Sequence, residues 1–332
     1  MSCIYRFLVF SVVACCLTFL LTTTGSAELK KHSQVKIVAG SPTGSWFPVG
    51  AAFADMTNKL YDGQPISVGP GGGIGNPTSV GTGKAHVGVS YGPYLKLAVK
   101  GGNELYPKAF PKLKAIAGMT MNKLHLIMAG DLAPDVLATA AQKKPKLKFG
   151  VGQKGSSEQF VMNLIAKVYG YDYDTIESWG GRVTKTGTTG LKNAFKDRQL
   201  DVFTLFIQAG AAKALDALTG RSGATLYNLD EKVRDSLKRQ MGYLKTTIPA
   251  GTYPTVKQEI NTVGLPFVVF ATADLDAEMV YLMTKSCAEN KPRMIQAGAS
   301  FKAWQPKDMV NGTGIDFHEG AARYYKERGW IK

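Results

Sequence analysis

Three times in its first half this chain passes from a short apolar run, through a glycine-rich break, into a helical pattern; few architectures accommodate that repeat. Residues 35–39 read as a strand that breaks at Gly40-Ser41-Pro42-Thr43-Gly44. A helix follows, with Ser45 as N-cap, Pro48 in its first turn, and Val49, Ala52, Phe53, Met56 and Leu60 at helical spacing. Residues 65–68 lead into GPGGGIGNPTS and a helix that begins near 76–79. Residues 146–151 lead into a G-x-G-x-x-G loop (Gly150, Gly152, Gly155), with Ser156 as N-cap, Gln159 completing a capping box, and Phe160, Leu164, Ile165 and Val168 as the apolar stripe. The alternation continues with strands expected at 85–90, 113–119, 124–128, 174–178, 201–206 and 263–270, and helices at 188–197, 211–218, 276–289 and 319–328. Alternating β and α units predict an α/β fold of parallel sheets with helices on both faces. Ligands of such sheets sit beyond the C-terminal strand ends, where glycine-rich turns open helices. Three such turns, at 40–48, 69–79 and 150–159, predict a cleft lined from two lobes.

The loop at 150–155 has three chemical readings: a dinucleotide, a smaller anion, or a turn without a ligand. Free N–H groups and the positive dipole end of the following helix suit an anion, with Lys154 adding charge and Ser156 and Ser157 adding hydroxyls. A dinucleotide also needs an acid at the end of the next strand to hold the ribose. Asp172 and Asp174 have about the right spacing but precede the expected strand, so the small-anion reading is preferred. No phosphate-binding G-x-x-x-x-G-K-[ST] loop exists, because Gly83-Lys84 is followed by Ala85. In the first loop, Thr43 and Ser45 offer hydroxyls, Gly44 offers backbone, and Trp46 an aromatic wall. Gly72 and Gly73 do the same for the second by close backbone approach.

Catalytic constellations are scarce. His32, His86, His125 and His318 are isolated, and Cys287 has no neighbouring histidine, so neither a zinc site nor a Cys–His nucleophile is expected. No cofactor, metal or enzymatic activity is predicted.

The N-terminus places the protein. Arg6 is followed by an uncharged apolar run from Phe7 to Leu21, then small residues with Gly25 and Ala27 at cleavage-site spacing. This reads as a signal peptide over residues 1–27, because the run is shorter than the ~20 residues a spanning helix needs. Val12-Val13-Ala14-Cys15 resembles a lipoprotein cleavage box, but most of the apolar stretch lies after it, so a lipid anchor at Cys15 is the weaker alternative. Cleavage removes Cys3, Cys15 and Cys16 and leaves Cys287 alone, so an exported, periplasmic protein without internal disulfides is expected. It removes Arg6 and no acid, so the net charge of +15 becomes +14. The lysines are dispersed without interleaved aromatics, which argues against nucleic acid and for a field that concentrates small anions.

Several blocks resemble those of the TAXI-type solute-binding proteins of TRAP transporters. They are TIPAGTYP at 247–254, GSPTGSWFPVG at 40–50, GGGIGN at 71–76, GQKGSS at 152–157, LKNAFKDRQLDV at 191–202 and HEGAARYY at 318–325. Together they span nearly all of the chain after residue 27. The resemblance implies a two-lobed periplasmic binding protein type II fold with an interlobe cleft. Lobe 1 would comprise residues 28–122 and 251–332, and lobe 2 residues 123–250. It implies a monomer that captures a small anionic solute, a dicarboxylate, keto acid or amino acid, and delivers it to TRAP membrane subunits. The alternatives are a sensor that presents the solute to a receptor or sensor-kinase ectodomain, and a thiamine-pyrimidine-synthase-like enzyme. The ligand-binding candidates are Thr43, Gly44, Ser45, Trp46, Gly72, Gly73, Ser90, Tyr91, Lys154, Gly155, Ser156, Ser157, Arg182, Gln208 and Tyr253. Arg182 has two readings, a bidentate carboxylate clamp or a solvated loop cation. The chain departs from the family pattern at Tyr91-Gly92-Pro93, Thr43-Gly44 and Trp46.

Overall fold

A computed structural model describes residues 34–60 and 66–332, so the expected signal peptide, Cys15 and His32 lie outside the described residues. In chain order the elements are β1 (Val35–Val38), α1 (Trp46–Asn58), β2 (Ile66–Gly69), α2 (Gly75–Gly81), β3 (Val87–Tyr91), α3 (Gly92–Lys100), β4 (Leu113–Met128) and α4 (Val136–Lys143). The middle of the chain supplies β5 (Lys148–Val151), α5 (Ser157–Val168), α6 (Tyr173–Ser178), β6 (Arg182–Lys185), α7 (Thr188–Lys196), β7 (Val202–Ile207) and α8 (Ala212–Thr219). Then come β8 (Thr225–Leu226), α9 (Glu231–Met241), β9 (Leu244–Ile248), β10 (Ile260–Thr272), α10 (Ala277–Glu289), α11 (Lys291–Ala297) and α12 (Glu319–Glu327). No helix among the described residues is long and apolar enough to cross a membrane.

The strands form one mixed sheet in the order β2-β1-β3-β10-β4-β7-β5-β6, with β8 beside β4 and β9 beside β10. The expected parallel pairing holds at the two ends, where β1 pairs β2 and β3, and β5 pairs β6 and β7. The centre is antiparallel: β10 runs against β3, β4 and β9, and β4 runs against β7 and β8. β10 supplies this difference. It arrives from late in the chain and inserts between β3 and β4, pairing Phe267 with Tyr91 on one edge and Gly264 with Lys123 on the other.

Residues 113–119 and 124–128 are one strand rather than the expected two. The polar interval between them stays in the ladder, Met121 opposite Pro266 and Asn122 opposite Leu265, because Asn122 is buried and hydrogen-bonded instead of turning outward. β4 therefore serves two neighbours as one strand, pairing β10 over residues 113–123 and β7 over residues 123–128. The expected strand at 174–178 is instead the short helix α6. Its N-cap Asp172 accepts from the Thr175 N–H at 2.8 Å, and a local cap of this kind outweighs one isolated isoleucine of strand character. α3, α4, β6, β8, α9, β9 and α11 were not expected from the sequence pattern.

Buried aliphatic and aromatic residues fill both faces. One core unites the β1–β3 end with the β5 region through Val263, Leu265 and Phe267 of β10, and a second gathers Phe203, Leu205 and Ile207 of β7 with Leu191, Phe195 and Tyr253.

Candidate functional site

The three glycine-rich turns meet. A cavity between the β1–β3 half and the β5–β7 half is lined by Gly40, Gly44, Ser45 and Trp46 from the first turn and by Gly71 to Gly73 from the second. The third contributes Gly152, Gln153 and Ser156 to Glu158. β7 (Thr204 to Ile207), the start of α7 (Thr186 to Thr188) and Lys213 complete it. Its volume is about 70 Å³. At ~10–15 Å³ per water that is room for a handful of waters, which suits a small solute and is too little for a dinucleotide.

Local chemistry places each wall. Ser156 caps α5 as expected, its Oγ accepting from the Gln159 N–H at 3.2 Å. Gln159 reaches back one residue further than a capping box requires, its Oε1 accepting from Gly155 N–H at 3.1 Å. Gly155 itself has φ +79°, the left-handed region that favours glycine. Its carbonyl accepts from the Ile74 and Gly75 N–H groups at 3.2 and 3.3 Å, which joins the second and third turns. Asn76 organises the second turn: its buried amide donates to the Ala39 and Val89 carbonyls at 2.6 and 2.7 Å and accepts from Gly72 N–H at 2.9 Å. Approach is close at Gly73, where a Cβ would lie 2.3 Å from Ser157 Oγ and 3.1 Å from the Trp46 ring.

Both halves also touch directly. Gln153 Nε2 donates to the Gly71 carbonyl at 2.9 Å, and Lys213 Nζ to the Thr43 carbonyl at 2.5 Å. Trp46 stands edge-on to Tyr91, with ring centroids 4.8 Å apart, and Tyr91 meets Phe206 at 5.4 Å, so an aromatic floor runs from one half to the other.

Eight candidates therefore share one cavity: Gly44, Ser45, Trp46, Gly72, Gly73, Tyr91, Ser156 and Ser157. The others stand around or away from it. Thr43 and Gly155 give their carbonyls to the contacts just described. Ser90 Oγ donates to the Gly73 carbonyl at 2.6 Å, steadying the turn from behind. Gln208 Nε2 donates to Thr120 Oγ1 and Asn122 Oδ1 at 2.7 and 2.8 Å, and Asn122 in turn donates to the Tyr91 hydroxyl at 3.2 Å. Tyr253 is buried, its hydroxyl 2.8 Å from His125 Nε2 and accepting from Gly210 N–H at 2.9 Å, so it anchors the segment leading to Lys213. Lys154 is exposed outside the lining. Arg182 is exposed too, and its guanidinium donates to the Gln199 carbonyl at 3.1 Å.

Sequence reasoning missed Glu158 and Lys213, the two charged residues of the lining among the described residues. Burial raises the Glu158 carboxyl above the ordinary value, against the pull of its own N–H, the Phe206 N–H and Ser156. Burial, then the charge of Lys192, lowers Lys213. Glu158 passed unnoticed because an acid in a first helical turn is what the dipole favours anyway. Nothing in the spacing sets Lys213 apart from the many other lysines. Ser157 Oγ, only 2% exposed, has no hydrogen-bond partner among the described residues and faces this cavity.

Residues 37–329 match the NMT1-like family. The chain belongs to that family. Among solved structures it is similar to MatC from Rhodopseudomonas palustris with bound malate, at 17% identity and TM-score 0.53, over 90% of this chain and 97% of that one. It is also similar to the periplasmic binding protein BugD, at 13% identity and TM-score 0.53, over 90% and 94%. A periplasmic transporter matches at 12% identity and TM-score 0.50, over 91% and 95%. At these identities the likeness is one of fold. The fold is the two-lobed α/β architecture of periplasmic solute-binding proteins, as expected from the sequence.

Proposed function

We propose that this protein is an exported solute-binding protein that captures a small organic anion, a dicarboxylate, keto acid or amino acid, and delivers it to the membrane subunits of a TRAP transporter. The observation that carries the reading is the convergence of three glycine-rich turns and the α5 N-terminus on one cavity between the halves of the sheet. The unpartnered Ser157 hydroxyl and the Lys213 ammonium add donors to the same cavity. The fold shared with MatC, whose structure holds malate, is in keeping with a carboxylate solute. The TAXI-like blocks at 247–254 and 318–325 favour the TRAP assignment within the NMT1-like family.

We assign residues 28–122 with 251–332 to one lobe and residues 123–250 to the other, with β4 and β10 as the strands that flex between them. Capture is then a hinge closure that brings Lys213 to Thr43 and Gln153 to Gly71. In this reading the binding set is the eight candidates that line the cavity, together with Glu158 and Lys213.

Thermal-shift screening of the purified protein against dicarboxylates, keto acids and amino acids tests the assignment, because a solute that binds only the native state raises the unfolding midpoint. A concentration-dependent rise with at least one of them is expected. A flat response across all three classes, with no small molecule retained in native mass spectrometry, would refute it.

A further inference from the structure

The cavity treats charge unevenly. The donors at the start of α5 already have a resident carboxylate, since Glu158 Oε1 accepts from the Phe206 N–H at 3.3 Å and the carboxyl also draws on its own N–H and on Ser156. A solute carboxylate placed there meets Glu158 rather than a bare helix terminus. The other charged group of the lining among the described residues, Lys213, comes from the start of α8. Among the described residues the lining thus carries one negative and one positive group and no arginine. Ser157 Oγ, buried and unpartnered in the same turn as Glu158, is free to accept or donate toward a solute.

We propose that Glu158 is the specificity-determining residue of the cleft: it admits a small carboxylate that presents a protonated amine to it and disfavours one that presents a second carboxylate there. The inference rests on the reading of this cavity as the solute site. A solute with one carboxylate and one ammonium leaves charges balanced, carboxylate toward Lys213 and ammonium toward Glu158 and Ser157. A dicarboxylate sets a like charge against Glu158 in a site shielded from water, where such repulsion is poorly screened, or else forces Glu158 to take up a proton.

Proton dependence separates these two routes. Besides Glu158, the titratable groups that face it are Tyr91 of β3, Tyr94 of α3 and Tyr243 between α9 and β9, all raised by burial and neutral in the range of interest. Acidification keeps Lys213 charged, so Lys213 can only strengthen carboxylate binding as pH falls. A loss of affinity on acidification must therefore come from Glu158.

The test is titration calorimetry at pH 7.5 on the wild-type protein and Glu158→Gln, with matched three- to five-carbon 2-amino acids, 2-hydroxy acids and α,ω-dicarboxylates. The wild type is expected to bind its best amino acid at least tenfold more tightly than the matched hydroxy acid or dicarboxylate. Glu158→Gln should lose that preference while holding dicarboxylates as well as before or better. Wild-type titrations repeated down to pH 5 supply a readout that does not depend on the variant's folding: amino-acid affinity should fall as Glu158 takes up a proton. A dicarboxylate bound as tightly as the matched amino acid, or a preference unchanged by both the substitution and acidification, overturns the inference and leaves the cleft assignment standing. Absence of binding for every probe to both proteins overturns the cleft assignment, and this inference with it.

Discussion

Asn76 lies 1% exposed beneath the second glycine turn, and its replacement by alanine should cost stability and binding together. Its Nδ2 is 2.6 Å from the Ala39 carbonyl, 2.7 Å from Val89 and 3.1 Å from Val38, while Oδ1 takes the Gly72 N–H at 2.9 Å. An amide has two N–H donors, so at most two of the three carbonyls are well served at once, and the side chain makes three good hydrogen bonds. Each is worth about 1 kcal/mol net, and a buried partner left unpaired costs more. Asn76→Ala should therefore lose about 3–5 kcal/mol, a large share of an ordinary domain's stability of about 5–15 kcal/mol. With a urea slope of about 3 kcal/mol/M, the midpoint moves down by roughly 1–1.7 M at unchanged slope. Asn76→Asp keeps the shape but turns the donor into an acceptor that faces carbonyls, so it should be at least as harmful near neutral pH. Its carboxyl would titrate above the unfolded value, and the deficit should shrink as pH falls through that raised value. Urea unfolding followed by fluorescence and circular dichroism measures both. A midpoint shift under about 0.3 M for Asn76→Ala would refute the view that this side chain holds β1, β3 and the second turn in register.

Gly73→Ala should leave the unfolding temperature within a few degrees, because the Ser157 hydroxyl can rotate away, yet weaken solute binding at least tenfold by wedging a methyl group against the Trp46 ring; calorimetry with the best solute measures it. Tyr253→Phe deletes the bond to His125 and strands the Gly210 N–H, so it should cost about 1–3 kcal/mol in urea unfolding and loosen the segment leading to Lys213. Burial lowers His125 to about 4 from 6.5, so the unfolded chain binds the extra proton between those values. The contribution of His125 is thus fully present above about pH 6.5 and lost as pH falls toward 4, on the order of 3 kcal/mol in all. Unfolding midpoints across that window should fall with acidification, and His125→Gln should flatten the dependence.

The parts of the site legible in the sequence are those fixed within a few residues. Ser156 caps α5 because a hydroxyl before an amphipathic stripe satisfies a free N–H, and Gly155 takes a positive φ where the turn requires it. The glycine turns were legible for the same reason, and so was their position at strand ends, where an α/β sheet puts its ligands. Lys154 and Arg182 show the limit of such reading. Both are cations beside promising turns, yet both are exposed, because which side of a turn or strand a side chain takes is set by the surrounding fold rather than by spacing. Tyr253, Gln208 and Ser90 lie behind the cavity, where they brace Gly210, Asn122 and Gly73; a motif does not tell a lining residue from its support.

From the chain alone came the alternation of strands and helices, the three turns and most of the helix starts, since dihedral preference, periodicity and capping act over about four residues. Only the tertiary structure decided that β4 is one strand shared between β10 and β7, that β10 inserts antiparallel between β3 and β4, and that Glu158 and Lys213 line a single cavity. Those outcomes depend on residues more than a hundred positions apart, such as Phe267 against Tyr91 and Lys213 against Thr43. Such partners are selected by how whole faces bury one another, which no local pattern encodes.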